Sequence, residues 1–264
     1  SLPMGAAFIM IQIYYNFDIV MLGFMKTDEV VGWYSAVYKV IMIILAFIPL
    51  FVNAVFPLMS RYYKESREKL RTLISSSTRL LSTIALPVGV GGMILAKPII
   101  IFLYPGGEFD NGITAFQILI WSIVIISIRC VYEQSFLACD REKRYLFGVI
   151  IGATTNIVLN MVLIPFFSLN GAAVATVISE LIFSLYMLFY FQIIKRRVIA
   201  KHLLKPSIAA VSMGIIIYYV RNFSPFLSIL IGIVSYAAIM LLIKGVTVEE
   251  INWWRKEITR KKYV

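Results

Sequence analysis

The fold of this chain is decided by residues 146–192, which read LFGVIIGATTNIVLNMVLIPFFSLNGAAVATVISELIFSLYMLFYFQ. Two apolar windows, 146–167 and 170–192, lie on either side of a break at Pro165 to Asn170. A helix needs roughly 20 residues to cross the hydrocarbon core of a bilayer, and each window is about that long. The stretch therefore predicts a hairpin of two transmembrane helices.

Six more windows of this kind surround the hairpin. They cover residues 3–25, 34–58, 74–96, 114–137, 206–222 and 226–244. A mean hydropathy of +0.86 and a charged fraction of 15% exclude an ordinary soluble domain. Transmembrane β-strands would be about half as long and would alternate polar with apolar residues. The sequence therefore predicts an all-α, polytopic membrane helix bundle with eight transmembrane helices.

Basic residues alternate between the two sides of this predicted bundle. The first three loops on one side carry five, three and five Lys or Arg and the C-terminal tail carries six, whereas the four loops on the other side carry one, none, none and one. Because basic loops stay in the cytoplasm, the pattern predicts a cytoplasmic-membrane protein with both ends of this chain in the cytoplasm. It also explains the net charge of +11 without a nucleic-acid partner, leaving anionic membrane lipids as a secondary partner.

Motifs for other chemistries are missing from the sequence. It has no Gly-x-x-x-x-Gly-Lys-Ser/Thr loop for nucleotide phosphates, no His, Cys or carboxylate cluster with metal-ligand spacing, and no Ser/His/Asp set. The sequence therefore predicts a protein that is not an enzyme and that uses no metal or other cofactor.

Charged side chains inside the predicted helices are the candidate functional residues. They are Asp18, Lys39, Arg129, Glu133 and Glu180. Each costs roughly 2.5–3.5 kcal/mol at mid-bilayer on insertion scales, so such residues usually face a cavity or a partner.

Arg129 and Glu133 are four residues apart on one helix, where they can neutralise each other. This pair either only holds its helix in place or leaves Arg129 facing a water-filled vestibule, where it binds an anionic head group.

The remaining three charged residues also allow two interpretations. Lys39 either extends outward to the membrane surface or contacts substrate, and Asp18 can pair with Lys39 across the first helical hairpin. Glu180 has no neutralising residue in its own helix, so it is the strongest candidate for a titrating or substrate-contacting group.

Asn156 and Asn160 share one face of the fifth predicted helix, and Gly171, Ala175 and Ser179 form a stripe of small residues on the sixth. This pattern favours tight packing with hydrogen bonds between the two helices. A direct contact of either Asn with substrate is the alternative.

A resemblance to a known family lies in the same hairpin. Its residues are Asn156-Ile-Val-Leu-Asn160 with Pro165, then Asn170-Gly171-Ala172-Ala173 and Ser179-Glu180. Together with Asn16-Phe17-Asp18 and Trp33-Tyr34, they resemble the C-terminal lobe of the polysaccharide flippases. These flippases belong to the multidrug/oligosaccharidyl-lipid/polysaccharide exporter superfamily.

The resemblance implies a particular domain organisation. Members have two six-helix lobes around a central cavity, and some, such as the lipid II flippases, carry two more C-terminal helices. Residues 1–195 would form the second lobe and residues 196–245 the two additional helices. Residues 246–264 are predicted from their apolar spacing to form a cytoplasmic amphipathic tail. The N-terminal lobe of the same protein would be the partner of this chain.

The resemblance also implies a function. A flippase of this family moves a polyprenyl-(pyro)phosphate-linked oligosaccharide across the membrane by alternating access, for surface polysaccharide or cell-envelope synthesis. Lys39 and Arg129 would be the cations that hold the phosphates, with Glu180 beside them. Coupling or structural roles would fall to Asp18, Glu133, Asn156 and Asn160.

Two alternative functions remain open from the sequence. A cation-coupled multidrug exporter would have the same fold. A membrane glycosyl- or phosphotransferase would use the same lipids, but the short outer loops disfavour it because such an enzyme needs acidic and basic residues in sizeable surface loops.

The alternation of basic loops predicts which side of the membrane each loop faces. In a background with Cys130 and Cys139 replaced by Ser, we expect Glu108→Cys to react with a membrane-impermeant maleimide in intact cells. Lys143→Cys should react only after the membrane is permeabilised. Labelling of both positions from the same side would contradict the predicted threading.

Overall fold

The computed structural model describes residues 2–191, 196–221 and 223–245. Regular secondary structure within these ranges is entirely helical. The helices are α1 (Leu2–Met25), α2 (Asp28–Leu45), α3 (Phe47–Glu65), α4 (Arg67–Ile94), α5 (Ala96–Leu103), α6 (Ile113–Ala138), α7 (Glu142–Tyr190), α8 (Arg196–Val220) and α9 (Pro225–Leu242), with a 3₁₀ turn at Asp110–Gly112. The predicted all-α class is confirmed, while the predicted tail at 246–264 lies outside the described residues.

Seven helical stretches in the described ranges are long and apolar enough to cross a membrane. One of them, Asp28–Glu65, contains both α2 and α3, which meet at Ala46. Another is α7, whose 49 residues would form a straight rod of about 74 Å, more than twice the thickness of a bilayer core.

Helix α7 does not continue straight, because the backbone breaks at Ser168 (φ 52°, ψ −134°) shortly after Pro165. We refer to the segments before and after Ser168 as the first and second arms. The arms lie antiparallel, since Gly148 of the first meets Met187 of the second and Gly152 meets Phe183. The predicted hairpin is therefore confirmed, and α7 accounts for two of the eight predicted crossings.

Helix α6 lies at the centre of the bundle and packs against α2, α3, α4 and α7. Helix α1 packs on α7, whereas α8 packs on α4 and carries α9 on its outer side. One large apolar core joins buried side chains from α1 through α7, and smaller clusters attach α8 to α4. The outer surface keeps large apolar side chains exposed, as expected for a surface covered by lipid.

The end of α9 is fastened by basic side chains from two other helices. Arg79 of α4 donates to the carbonyl of Gly245, and Lys205 Nζ of α8 donates to the carbonyl of Lys244 at 2.9 Å. These carbonyls lie just beyond the end of α9 at Leu242, outside its helical hydrogen-bond pattern, and a cationic donor forms a stronger hydrogen bond than a neutral one.

Close packing of the α7 arms depends on Gly171. A Cβ at this position would lie 2.5 Å from the Leu163 carbonyl oxygen, which belongs to the backbone and cannot move aside like a side chain. We expect Gly171→Ala to destabilise the protein by about 1–3 kcal/mol, the usual cost of overpacking. Thermal unfolding of the full-length protein in detergent measures this loss.

Gly23→Ala is the matched control, since a Cβ at Gly23 in α1 meets nothing within 4 Å. This variant should unfold at or slightly above the wild-type temperature because Ala favours a helix more than Gly. Equal melting temperatures for the two variants would contradict the role of Gly171.

Candidate functional site

Two groups of polar side chains are buried among α1, α2, α6 and α7. The first, called the Asp18 cluster below, consists of Asp18, Tyr34, Asn156, Asn160 and Thr176. The second, called the Arg129 triad, consists of Arg129, Glu133 and Glu180. Both are buried away from water, so their internal contacts determine which charges the helix bundle can hold.

In the Asp18 cluster, three helical segments converge on one carboxylate. Asn160 Nδ2, on the first arm of α7, donates to Asp18 Oδ1 at 2.5 Å. Tyr34 of α2 donates its hydroxyl to Asp18 Oδ2 at 2.9 Å, and the Thr176 hydroxyl on the second arm donates to the same oxygen. Asp18 is buried and forms no ion pair with any described basic residue.

The hydrogen bonds continue along the hairpin from this cluster. Asn160 Nδ2 also donates to Asn156 Oδ1 at 3.1 Å, and Asn156 Nδ2 donates to Ser179 Oγ at 3.4 Å. Ser179 in turn shares a 3.0 Å hydrogen bond with the Tyr14 hydroxyl of α1. The predicted packing of the Asn face against the small-residue stripe is present, and it joins α1 to both arms.

One acceptor in the Asp18 cluster remains unused. Asn160 Oδ1 is buried and has no hydrogen-bond partner among the described residues. A carboxylate without a counter-charge and a spare amide oxygen together provide oxygen ligands of the kind that hard cations prefer.

The Arg129 triad joins α6 to the second arm of α7. Arg129 Nη1 pairs with Glu133 Oε1, and Arg129 Nε lies 2.8 Å from Glu180 Oε2. The guanidinium carbon also lies 4.4 Å from the centre of the Phe183 ring, and Nη2 donates to the Tyr15 hydroxyl at 3.3 Å. The side chains of Arg129, Glu133 and Glu180 are 3%, 13% and 0% exposed, so only Glu133 approaches the surface.

The structure corrects two of the interpretations drawn from the sequence. The pairing of Asp18 with Lys39 is wrong, because Asp18 is occupied by Tyr34, Asn160 and Thr176 while Lys39 is exposed. In this structure Arg129 does not face an open vestibule either, since it is buried against Phe183 between two carboxylates. The predicted Arg129–Glu133 pair is present, and Glu180 finds its counter-charge on α6.

Sequence reasoning also missed two members of the Asp18 cluster, Tyr34 and Thr176. The sequence could have identified Thr176, because an antiparallel hairpin that turns near Ser168 brings this residue alongside Asn160. No comparable signal marked Tyr34, which is one of several aromatic residues near the start of α2.

Exposed polar side chains occur at membrane depth on three consecutive helices. They are Gln12 and Asn16 of α1, Lys39 of α2 and Asn53 of α3. Asn53 also accepts a hydrogen bond from Gln134 of α6 at 3.2 Å. Polar groups are costly against lipid, so each of these exposed side chains, together called the polar face below, is suited to contact with water or with another protein segment.

Comparison with known proteins finds similar sequences and similar folds. Agl15 of Haloferax volcanii, described as a probable low-salt glycan biosynthesis flippase, is 25% identical over 61% of this chain and 34% of its own length. A structure of the lipid II flippase MurJ in an inward closed conformation superposes with a TM-score of 0.78 at 20% identity, covering 92% of this chain and 52% of that one. An outward-facing multidrug resistance transporter of the MATE family gives a TM-score of 0.64 at 17% identity, covering 95% and 65%.

This chain spans about a third of the length of Agl15 and of AglR, a probable flippase of the same organism. The sequence profile described as "Lipid II flippase MurJ" matches residues 30–237, which include α2 to α8 and most of α9. The chain therefore belongs to the lipid II flippase MurJ family, within the superfamily that the sequence motifs indicated.

Proposed function

We propose that this chain is the C-terminal lobe of a flippase that moves a polyprenyl-(pyro)phosphate-linked oligosaccharide across the cytoplasmic membrane. Residues 1–195 would form the lobe and residues 196–245 the two additional helices. The observation that carries the proposal is the family match over residues 30–237. The flippase would work by alternating access without an enzymatic step, and both ends of this chain would lie in the cytoplasm.

The polar face supports a cavity between this lobe and an N-terminal lobe. Exposed amides on α1 and α3 and an exposed lysine on α2 would be unfavourable in contact with lipid tails. In a two-lobe transporter the same surface would line the water-filled path taken by the sugar. The polyprenyl chain would remain in the bilayer.

Lys39 is the basic residue best placed to contact the substrate in this structure. It is exposed at membrane depth, whereas Arg129 is buried and held by Glu133 and Glu180. A lysine ammonium binds phosphate as a point charge, and one hydrogen bond to a charged group contributes about 1.5–3 kcal/mol. We therefore assign the first contact with the substrate phosphate to Lys39.

The Asp18 cluster is the proposed coupling site. An ionised carboxylate that is buried without a counter-charge is unstable unless it gains a proton or a monovalent cation. Asp18 is in this position, and the unused Asn160 Oδ1 beside it provides a further ligand for a cation. Loading and unloading of this site would then bias the equilibrium between inward-facing and outward-facing states.

A cation-coupled multidrug exporter is the second candidate function, because the Asp18 cluster could bind the coupling cation in either kind of transporter. The exposed Lys39 favours the flippase, since a positive charge in the cavity attracts a phosphate and repels a cationic drug.

The role of Lys39 can be tested in cells that lack their own flippase and express the full-length protein. We expect Lys39→Ala to reduce translocation of the polyprenyl-linked sugar about tenfold, which corresponds to about 1.4 kcal/mol of lost phosphate binding. Lys39→Arg should retain most of the activity because it preserves the charge.

Lys97→Ala is the matched control, since Lys97 is an exposed lysine at the start of α5. The Lys97→Ala variant should translocate the polyprenyl-linked sugar at the wild-type rate. Equal activity of Lys39→Ala and wild type would remove Lys39 from the substrate path.

The coupling role of Asp18 predicts a change in the response to ion gradients. In vesicles containing the full-length protein, an imposed proton or sodium gradient should drive wild-type translocation. Asp18→Asn should no longer respond, because the amide carries no negative charge that could attract a proton or a sodium ion. The substitution preserves the size of the side chain. The control is Asp110→Asn, in an exposed outer loop, which should respond like wild type. A normal gradient response in Asp18→Asn would assign coupling to another group.

A further inference from the structure

The Arg129 triad has more negative than positive charge. It contains two carboxylates and one guanidinium, and none of the three side chains is more than 13% exposed. With every group ionised, the triad would bury a net charge of −1. An uncompensated charge of this kind costs several kcal/mol, so buried carboxylates usually gain a proton or a counter-ion.

The other titratable groups that surround the triad do not supply a positive charge. Tyr14 and Tyr15 approach from α1, Tyr38 approaches from α2, Cys130 lies on α6 itself, and Tyr145 approaches from the first arm of α7. All five are neutral in their ordinary protonation state near pH 7. The imbalance therefore remains within the three charged residues.

The two carboxylates are not equivalent. Glu133 accepts a hydrogen bond from Arg129 and reaches toward the surface. Glu180 is fully buried, and the donors beside it, the Tyr14 hydroxyl and Arg129 Nε, are not aligned for a hydrogen bond to Oε1 or Oε2. Its contact with Arg129 Nε is a close approach of charges without hydrogen-bond alignment. Glu180 is thus the carboxylate with an unsatisfied oxygen available for a proton.

We propose that the Arg129 triad is a proton-binding site separate from the Asp18 cluster, and that Glu180 carries the proton. Protonation of Glu180 brings the triad to zero net charge and leaves Arg129 paired with Glu133. Loss of the proton to water restores the net charge of −1. The proton comes from the aqueous phase, and no other bond is made or broken.

This site would also affect how tightly the substrate binds, an inference that rests on the proposed function. Glu133 adjoins Gln134, which bonds to Asn53 on the polar face. An anionic phosphate near that face would be repelled by the deprotonated triad and not by the neutral one. Substrate binding would therefore favour the protonated state, and proton binding would favour substrate by the same factor.

Infrared spectroscopy of the purified full-length protein tests the proton directly, without requiring transport. A protonated, buried carboxylic acid gives a C=O stretching band that is absent from a carboxylate and shifts in D₂O. Because Asp18 can also take up a proton, the measurement is made in the Asp18→Asn background. We expect this band at neutral pH in Asp18→Asn and its loss in Asp18→Asn/Glu180→Gln, which removes the carrier of the proton.

Glu133→Gln gives a sharper test. Removal of the charge at Glu133 leaves Arg129 and Glu180 as a neutral ion pair, so Glu180 should ionise and its band should again disappear. Addition of Asp110→Asn, at an exposed carboxylate, is the matched control and should retain the Glu180 band. Thermal unfolding of each variant verifies that it is folded, and the Glu133→Gln result decides the proposal even if Glu180→Gln does not fold.

Absence of a carboxylic-acid band in the Asp18→Asn background would overturn the proposal, and so would its persistence when Glu180→Gln or Glu133→Gln is added to that background. Translocation provides a second readout. The wild-type rate should fall as the pH rises through the range in which the band disappears, and Glu133→Gln should lose this dependence. If the band behaves as expected but no lipid-linked sugar is moved, only the proposed function fails.

Discussion

Charge inside this helix bundle has to be paired or hydrogen-bonded within the bundle, because lipid tails provide neither water nor counter-ions. Four ionisable residues, Asp18, Arg129, Glu133 and Glu180, are held by contacts that join α1, α2, α6 and α7. These contacts are possible only where the arms of α7 approach closely, and the approach depends on glycines at positions where a side chain would meet the opposite arm. Removal of one partner would leave a buried polar group unsatisfied, which is more costly than the loss of a single contact.

The architecture could be predicted from the sequence because crossing a bilayer constrains length and composition strongly. The windows on either side of Pro165 already indicated a hairpin, and the structure places its turn at Ser168. Ion pairs within one helix could also be predicted, as Arg129 and Glu133 show. Each of these inferences depends only on the geometry of a single helix or a single turn.

Pairing between distant helices could not be read from the sequence. Asp18 and Asn160 are 142 residues apart. The sequence favours Lys39 as the partner of Asp18 only because Lys39 lies on the next helix. The actual arrangement follows from the rotation of each helix about its axis, which places Tyr34 inward and Lys39 outward on α2. Hydropathy specifies which residues are in the membrane, but it does not fix these rotations.

The basic residues that fasten α9 have a second consequence. Arg79 and Lys205 hold the carbonyls at its C-terminal end, and these two residues lie on the side of the bundle where basic charge predominates. Threading and tertiary packing thus rely on some of the same side chains. Exchanging these cations for acids to invert the protein would also remove both hydrogen bonds that anchor the segment after α9, so a change of charge at these positions would alter packing as well as orientation.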